Sequence, residues 1–240
     1  MCGRYSITEP VDALARIFDF LERLNLPPRY NAAPTQDLPV VRDGADGRRH
    51  LDLLRWGLIP SWAEDAAIGS RLINARAETV ATKPAFRDSF RRRRCLVPAD
   101  GFYEWQAVPG AKAKRPWRIH PADGGPFAFA GLWARWEGAD GTAESFTILT
   151  TEADAVVAPI HRRMPVILAP ETFAAWLSPA TAPAAVQALL ANAPPPRLTA
   201  YPVRPIVNSP ANDIPDCLAP AGEDPTMAGP DRPRQGSLFD

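Results

Sequence analysis

The chain has 240 residues, 46% of them apolar, enough to bury the core of one ordinary domain with a tail, and no apolar run approaches the ~20 residues that cross a bilayer. Its 27 basic and 27 acidic residues cancel, and an odd set of three cysteines without CxxC or Cys/His spacing argues against a disulfide framework and against structural zinc. With no basic-then-apolar leader, export is not expected, and the protein is placed in the cytoplasm with Cys2 as a free thiol.

The charge is uneven along the chain: residues 1–118 hold 20 Lys and Arg against 14 Asp and Glu, and residues 119–240 hold 7 against 13. The basic half can face a polyanion. Arginine makes up 24 of the 27 basic residues and suits bidentate phosphate contact, although a coding bias toward Arg, Ala and Pro produces the same counts.

The opening MCGRY puts a cysteine directly behind the initiator methionine, at an end expected to be frayed and exposed. Removal of that methionine would give Cys2 an α-amine of reference pKa ~7.7–8.0 beside a thiol of ~8.5. Such a 1,2-aminothiol condenses with an aldehyde and then closes a ring. Next, EPVDALARIFDFLERLNLPP sets Val11, Leu14, Ile17, Phe18 and Leu21 at helical spacing, between the start signals Thr8 and Pro10 and the stop Pro27-Pro28; the pattern predicts an amphipathic surface helix. Short apolar or β-branched runs follow, punctuated by Pro and Gly: DLPVVRD, HLDLLRWGLIP, RCLVPADGFYEW, PWRIH, FAFAGLW, SFTILTT, MPVILA and LTAYPV. They read as strands of a mostly antiparallel sheet, with short helices at KPAFRDSFRR, PETFAAWL and PAAVQALLAN. The expected class is α+β, a curved sheet or barrel-like core with peripheral helices. From about Pro220 the chain turns to Pro, Gly and charge, which predicts a domain over residues 1–219 and a disordered tail over 220–240.

Four clusters stand out for chemistry: MCGRY, RYNAAPT (Arg29 to Thr35), INARAET (Ile73 to Thr79), and the pair ADGFYEW (Ala99 to Trp105) with PIHRRMP (Pro159 to Pro165). In this order behind an N-terminal MCGR they resemble the SOS response-associated peptidase (SRAP) family, whose members protect abasic sites in single-stranded DNA by covalent capture. The resemblance runs from Cys2 to about Asn208. It implies Cys2 as nucleophile with Asn74, Glu104 and His161 completing the catalytic site, single-stranded DNA bearing abasic sites as partner, and a monomer without metal or cofactor.

The residue types suit that chemistry. An abasic deoxyribose exists mainly as a closed hemiacetal, so protons must move to open it; Glu104, set among aromatics in FYEW, can do so if burial raises its pKa. The neutral Cys2 amine then forms a Schiff base and the thiol closes a thiazolidine. The His161 imidazole can shuttle protons, while the Asn74 amide can orient the sugar hydroxyl or the Cys2 backbone. Each residue also has a structural reading: Glu104 as a solvated strand residue, His161 as a core histidine bonded to a carbonyl, Asn74 as a turn residue. Arg4, Arg76 and Arg163 flank these groups as phosphate contacts, with Trp62 and Trp105 as base-stacking platforms. After the histidine the family pattern has an acidic residue and paired arginines, whereas Arg162, Arg163 and Met164 follow here; register favours Arg163 over Arg162 for phosphate. The run Arg91 to Arg94 reads as a solvated face rather than the main nucleic-acid contact.

Two other readings stay open: a thiol (auto)peptidase with Cys2 as nucleophile, and a non-covalent single-stranded DNA-binding module. AP-lyase cleavage from the Schiff base is a further possible activity. At the C-terminus, RQGSLFD places Gln235, Leu238 and Phe239 in an arrangement that resembles the Gln-x-x-Leu-Phe peptides that dock on the bacterial sliding clamp.

Overall fold

The computed structural model describes residues 2–138, 141–192 and 196–222. Its strands are β1 (Tyr5–Ile7), β2 (Arg29–Ala32), β3 (Asp37–Asp43), β4 (Arg49–Trp56), β5 (Asn74–Arg76), β6 (Arg94–Ala99), β7 (Gly101–Gln106), β8 (Arg115–Pro121), β9 (Phe127–Gly138), β10 (Gly141–Glu152), β11 (Arg163–Pro165), β12 (Ile167–Leu168) and β13 (Leu198–Pro202). The helices are α1 (Val11–Phe18), α2 (Arg87–Arg92), α3 (Phe173–Leu177) and α4 (Pro183–Asn192).

Five strands close a barrel. β3 pairs with β4 along its whole length, β4 meets β10 in parallel, β10 pairs with β9, β9 with β6, and β6 returns to β3 at Leu96 opposite Val41. Closure leaves no free edge within this ring. β6 and the first half of β9 are apolar nearly throughout because both of their faces are covered, so they read as continuous runs, whereas β9 alternates from Trp133 onward. Inside, Trp56 stacks on Phe146 with 6.2 Å between ring centres and meets the Tyr5 ring at 5.3 Å. Five further strands form a wholly antiparallel sheet in the order β13-β8-β7-β1-β2. The α+β, barrel-like class expected from the sequence is the class observed.

The passage between barrel and sheet positions everything that follows. RCLVPADGFYEW, expected to be one strand, is two: β6 leaves the barrel at Ala99 and β7 enters the other sheet at Gly101. Asp100 sits at the joint. Its carboxylate accepts from Ser6 Oγ (2.5 Å), Thr8 N (2.5 Å), Thr8 Oγ1 (2.7 Å) and the Arg118 guanidinium (3.2 Å), and its amide donates to Ser6 O. A Cβ at Gly101 would lie 2.9 Å from that guanidinium, so a larger residue there would push Arg118 out of its place on Asp100. Both Asp100 and Arg118 are buried. Removing one partner of a buried ion pair strands the other, so Asp100→Ala is expected to cost about 3–5 kcal/mol, read as a shifted midpoint in urea unfolding.

Several expectations need correction. α1 ends at Phe18, well short of Pro27-Pro28, because Asp19 takes a left-handed conformation (φ 60°) and its amide caps Ala15 O. Phe20 then bridges to Arg49, and Leu21, placed on the apolar face by periodicity, is exposed. Arg91 and Arg92 are exposed as expected of a solvated face. Arg94 is not: it is buried and donates to the carbonyls of Trp176 (2.5 Å), Phe90 (2.6 Å), Arg91 (2.8 Å) and Ser178 (2.5 Å), tying α2 and α3 to β6. At the other end of the chain, Pro220 bridges to Val203 and Ala221 N donates to Pro202 O. Gln235, Leu238 and Phe239 lie outside the described residues. No helix among the described residues is long and apolar enough to cross a membrane.

Candidate active site

Residues 2–4 are built in rather than frayed. β1 pairs with β7 with Tyr5 opposite Phe102 and Ser6 opposite Gly101, and Tyr103 N donates to Arg4 O at 3.0 Å. This pairing continues toward the N-terminus and lays residues 2–4 along Glu104. Cys2, expected at an exposed end, is completely buried, and all three cysteines are free thiols.

Successive residues of β7 face opposite ways. Tyr103 and Trp105 join a small cluster with Val203, Val207 and Cys217, whereas Phe102 joins the main core and packs edge-on against Phe129. Glu104 follows the parity of Phe102, so it is 3% exposed rather than a solvated strand residue. Burial raises its carboxyl pKa above the ordinary range. The Cys2 thiol is raised as well, first by burial and then by the negative charge of Glu104, which places the two side chains in one electrostatic site.

His161 arrives on the segment between β10 and β11. Gln106 Nε2, at the end of β7, donates to Pro159 O (3.1 Å), and His161 N donates to Val157 O (2.9 Å), so this segment is fastened to the strand that carries Glu104. His161 Nδ1 lies 3.7 Å from Glu104 Oε1 and 3.0 Å from Arg163 O, and its side chain is 30% exposed. Three of the four expected catalytic residues therefore converge, with Cys2 and Glu104 buried and His161 reaching solvent.

The fourth is placed by β10. β5 lies parallel to it with Asn74 opposite Ile148 and Arg76 opposite Thr150, while β11 pairs antiparallel with Arg163 opposite Glu152. Asn74 Nδ2 donates to Ile73 O (3.0 Å), and its Oδ1 is buried without a hydrogen-bond partner among the described residues. Among the described contacts none joins this amide to Cys2, Glu104 or His161. Arg76 and Arg162 are exposed. Arg163 donates to Glu78 Oε1 (2.6 Å) and Oε2 (3.0 Å) and to Thr150 O (2.5 Å). Trp62 is 55% exposed, with Nε1 3.4 Å from Pro84 O.

Arg4 and Trp105 are engaged with the protein itself. Arg4 donates to Asn31 Oδ1 (3.1 Å), Val207 O (2.9 Å) and Asn208 O (3.4 Å), and its guanidinium lies 5.8 Å from the Trp105 ring centre. Trp105 Nε1 donates to Asn208 Oδ1 (2.7 Å). Asn31, fully buried, donates to the carbonyls of Val207, Ser209 and Asn212, and Asp213 accepts from the amides of Tyr30 and Asn31 and pairs with Arg29. RYNAAPT is thus the lock that holds residues 207–213 against β2 and, through Arg4, against the segment carrying Cys2. The cluster was visible in the sequence, but its partner Asp213, 182 residues from Asn31, carried no signal. Among the described residues no group of three or more His, Cys, Asp or Glu side chains is arranged to hold a metal ion.

Comparison with known proteins places this geometry in context. The family model for SOS response associated peptidase (SRAP) matches residues 1–210. The abasic site processing protein YoqW of Bacillus subtilis (strain 168) is 42% identical over 224 residues, covering 91% of this chain and 99% of that protein. The abasic site processing protein HMCES of Rattus norvegicus is 31% identical over 270 residues, covering 92% of this chain and 76% of that one. Among solved structures, the crystal structure of a protein from Bacteroides thetaiotaomicron superimposes with a TM-score of 0.81 at 27% identity, covering 92% of this chain and all of that one.

Proposed function

The chain belongs to the SOS response-associated peptidase family, and on that premise we propose that it processes abasic sites in the response to DNA damage, capturing the ring-opened sugar of single-stranded DNA through Cys2. The observation that carries this reading is the convergence of Cys2, Glu104 and His161 at one partly open site.

Removal of Met1 frees the Cys2 amine. Glu104, protonated further toward neutrality than an exposed carboxyl, and His161, at the solvent side, move the protons that open the hemiacetal to the C1′ aldehyde. The neutral amine adds to C1′, and the carbinolamine loses one water to give a Schiff base. Cys2 Sγ then adds to C1′ while its proton goes to the nitrogen, which ends as the secondary amine of a thiazolidine. Asn74 orients the sugar, Arg76 and Arg163 hold the phosphates, and Trp62 offers an exposed face for a neighbouring base. Arg4 and Trp105 form the rim that fixes the Cys2 segment beside the strand.

The raised thiol pKa bears on the rival peptidase reading. A thiolate nucleophile needs a depressed pKa, whereas burial and Glu104 push Cys2 the other way; capture that begins at the amine fits the site better. The test is incubation with a single-stranded oligonucleotide bearing one abasic site, run on a denaturing gel. A shifted band that survives heat and detergent is expected. Shifts of equal size with intact DNA, lost on denaturation, would show non-covalent binding instead.

We further propose that Gln235, Leu238 and Phe239 dock the chain on the replication sliding clamp, where single strands are exposed and tethering raises local concentration. Deleting residues 235–240 is expected to leave capture of free oligonucleotides intact and to abolish co-purification with the clamp.

A further inference from the structure

One of the two arginines assigned to the DNA backbone already holds an anion. Glu78 meets Arg163 as a fork on a fork, Nη1 to Oε1 at 2.6 Å and Nη2 to Oε2 at 3.0 Å, the geometry in which a guanidinium takes two phosphate oxygens. Glu78 is held ionised chiefly by its hydrogen bonds to Arg163, and the charge of Arg76 adds to that attraction, so its carboxylate lies within the field of both.

The two sides of this pair are not equally fixed. Arg163 is anchored from behind, its Nη2 donating to Thr150 O at 2.5 Å and lying 3.3 Å from Thr150 Oγ1, and its side chain is 17% exposed. Glu78 is 46% exposed. The arginine therefore stays with β10 while the carboxylate can swing into solvent. The seat also adjoins the chemistry, since Arg163 O is 3.0 Å from His161 Nδ1.

We propose that Glu78 is a resident stand-in for a DNA phosphate, displaced from its seat on Arg163, beside Arg76, by the incoming strand. The inference rests on the reading that DNA is the partner and adds a residue that sets how tightly the strand is held. Displacing an ion pair makes the first encounter with intact DNA weak, and the return of the carboxylate helps a strand that has not been captured to leave.

The experiment is a salt titration of binding to a fluorescent single-stranded oligonucleotide without an abasic site, so that covalent capture does not intervene. It compares wild type, Glu78→Gln, Arg163→Ala and the double variant. Glu78→Gln is expected to bind about two- to fivefold more tightly, the range an exposed ion pair is worth. Its log–log salt slope should steepen by about 0.7, one more phosphate neutralised against solvent ions on a single strand. In the Arg163→Ala background the gain should disappear. Weaker or unchanged binding of Glu78→Gln would overturn the proposal, because Glu78 would then orient Arg163 without leaving it. A gain of equal size without Arg163 would overturn it too, as a mere loss of negative charge. Wild type that shows no salt-dependent binding would instead take down the DNA reading itself, and the displacement idea with it.

Discussion

Replacing Cys2 with alanine is expected to abolish the denaturation-resistant product completely, the largest effect any single side chain should have. The bond pattern gives the reason. A Schiff base alone hydrolyses, and only addition of Sγ converts it to a ring that survives heat and detergent. Cys2→Ala and Cys2→Ser both keep an α-amine once Met1 is removed, so both should still give a Schiff base that borohydride traps, and neither should give a band without reductant. The comparison separates the two steps of capture. Intact-mass measurement supplies the companion requirement that the active protein begin at Cys2. A Cys2→Ala protein that crosslinks at the wild-type rate without reductant, or an active protein that retains Met1, would end the mechanism.

Glu104→Gln should come next in size. General acid–base assistance is typically worth about 10²–10⁴-fold, and the substitution preserves shape, so crosslinking should slow by roughly that factor while affinity for DNA changes little. The pH dependence sharpens this expectation. Burial raises the Glu104 pKa, so its acid form persists toward neutrality, and the rate it assists should fall as pH rises through that raised value. The Cys2 amine acts neutral, so its own contribution rises with pH. Wild type should show both limbs, and Glu104→Gln should lose the falling one. Single-turnover rates across pH on one abasic oligonucleotide are the measurement; equal profiles for the two proteins would remove Glu104 from proton transfer.

The residues that converge at the candidate site were more legible in the sequence than the scaffold that assembles them. The strand-forming runs with β-branched or alternating residues were visible, and so was the α+β class. β1, β2 and β5 were not, because three or four residues drawn from YSI, RYNA and NAR are too short and too polar to show a period. Those strands are the motifs themselves: the same residues that carry polar function also carry the ladder hydrogen bonds. α1 was overextended because its stop lies in a left-handed Asp19, a conformation for which glycine or asparagine is the usual flag. Arg94 was misread because local sequence cannot show that four backbone carbonyls, from α2, from α3 and from the residue that follows α3, converge on one of four consecutive arginines. The three carbonyls that accept from Asn31 Nδ2 lie more than 170 residues away, and only the folded topology brings them together.

β10 carries Asn74 and the arginines assigned to the DNA backbone. Along its length it pairs with β9, touches β4, then carries β5 on one flank and β11 on the other. Asn74, Arg76 and Arg163 therefore hang from the far end of a strand whose residues 141–148 are bonded into the closed ring, and strands so anchored open at the high-stability end of the protein's range. The scaffold of the site should not melt ahead of the protein: deuterium uptake at residues 145–151 is set by global unfolding, and loss of that protection coincides with loss of capture rather than preceding it.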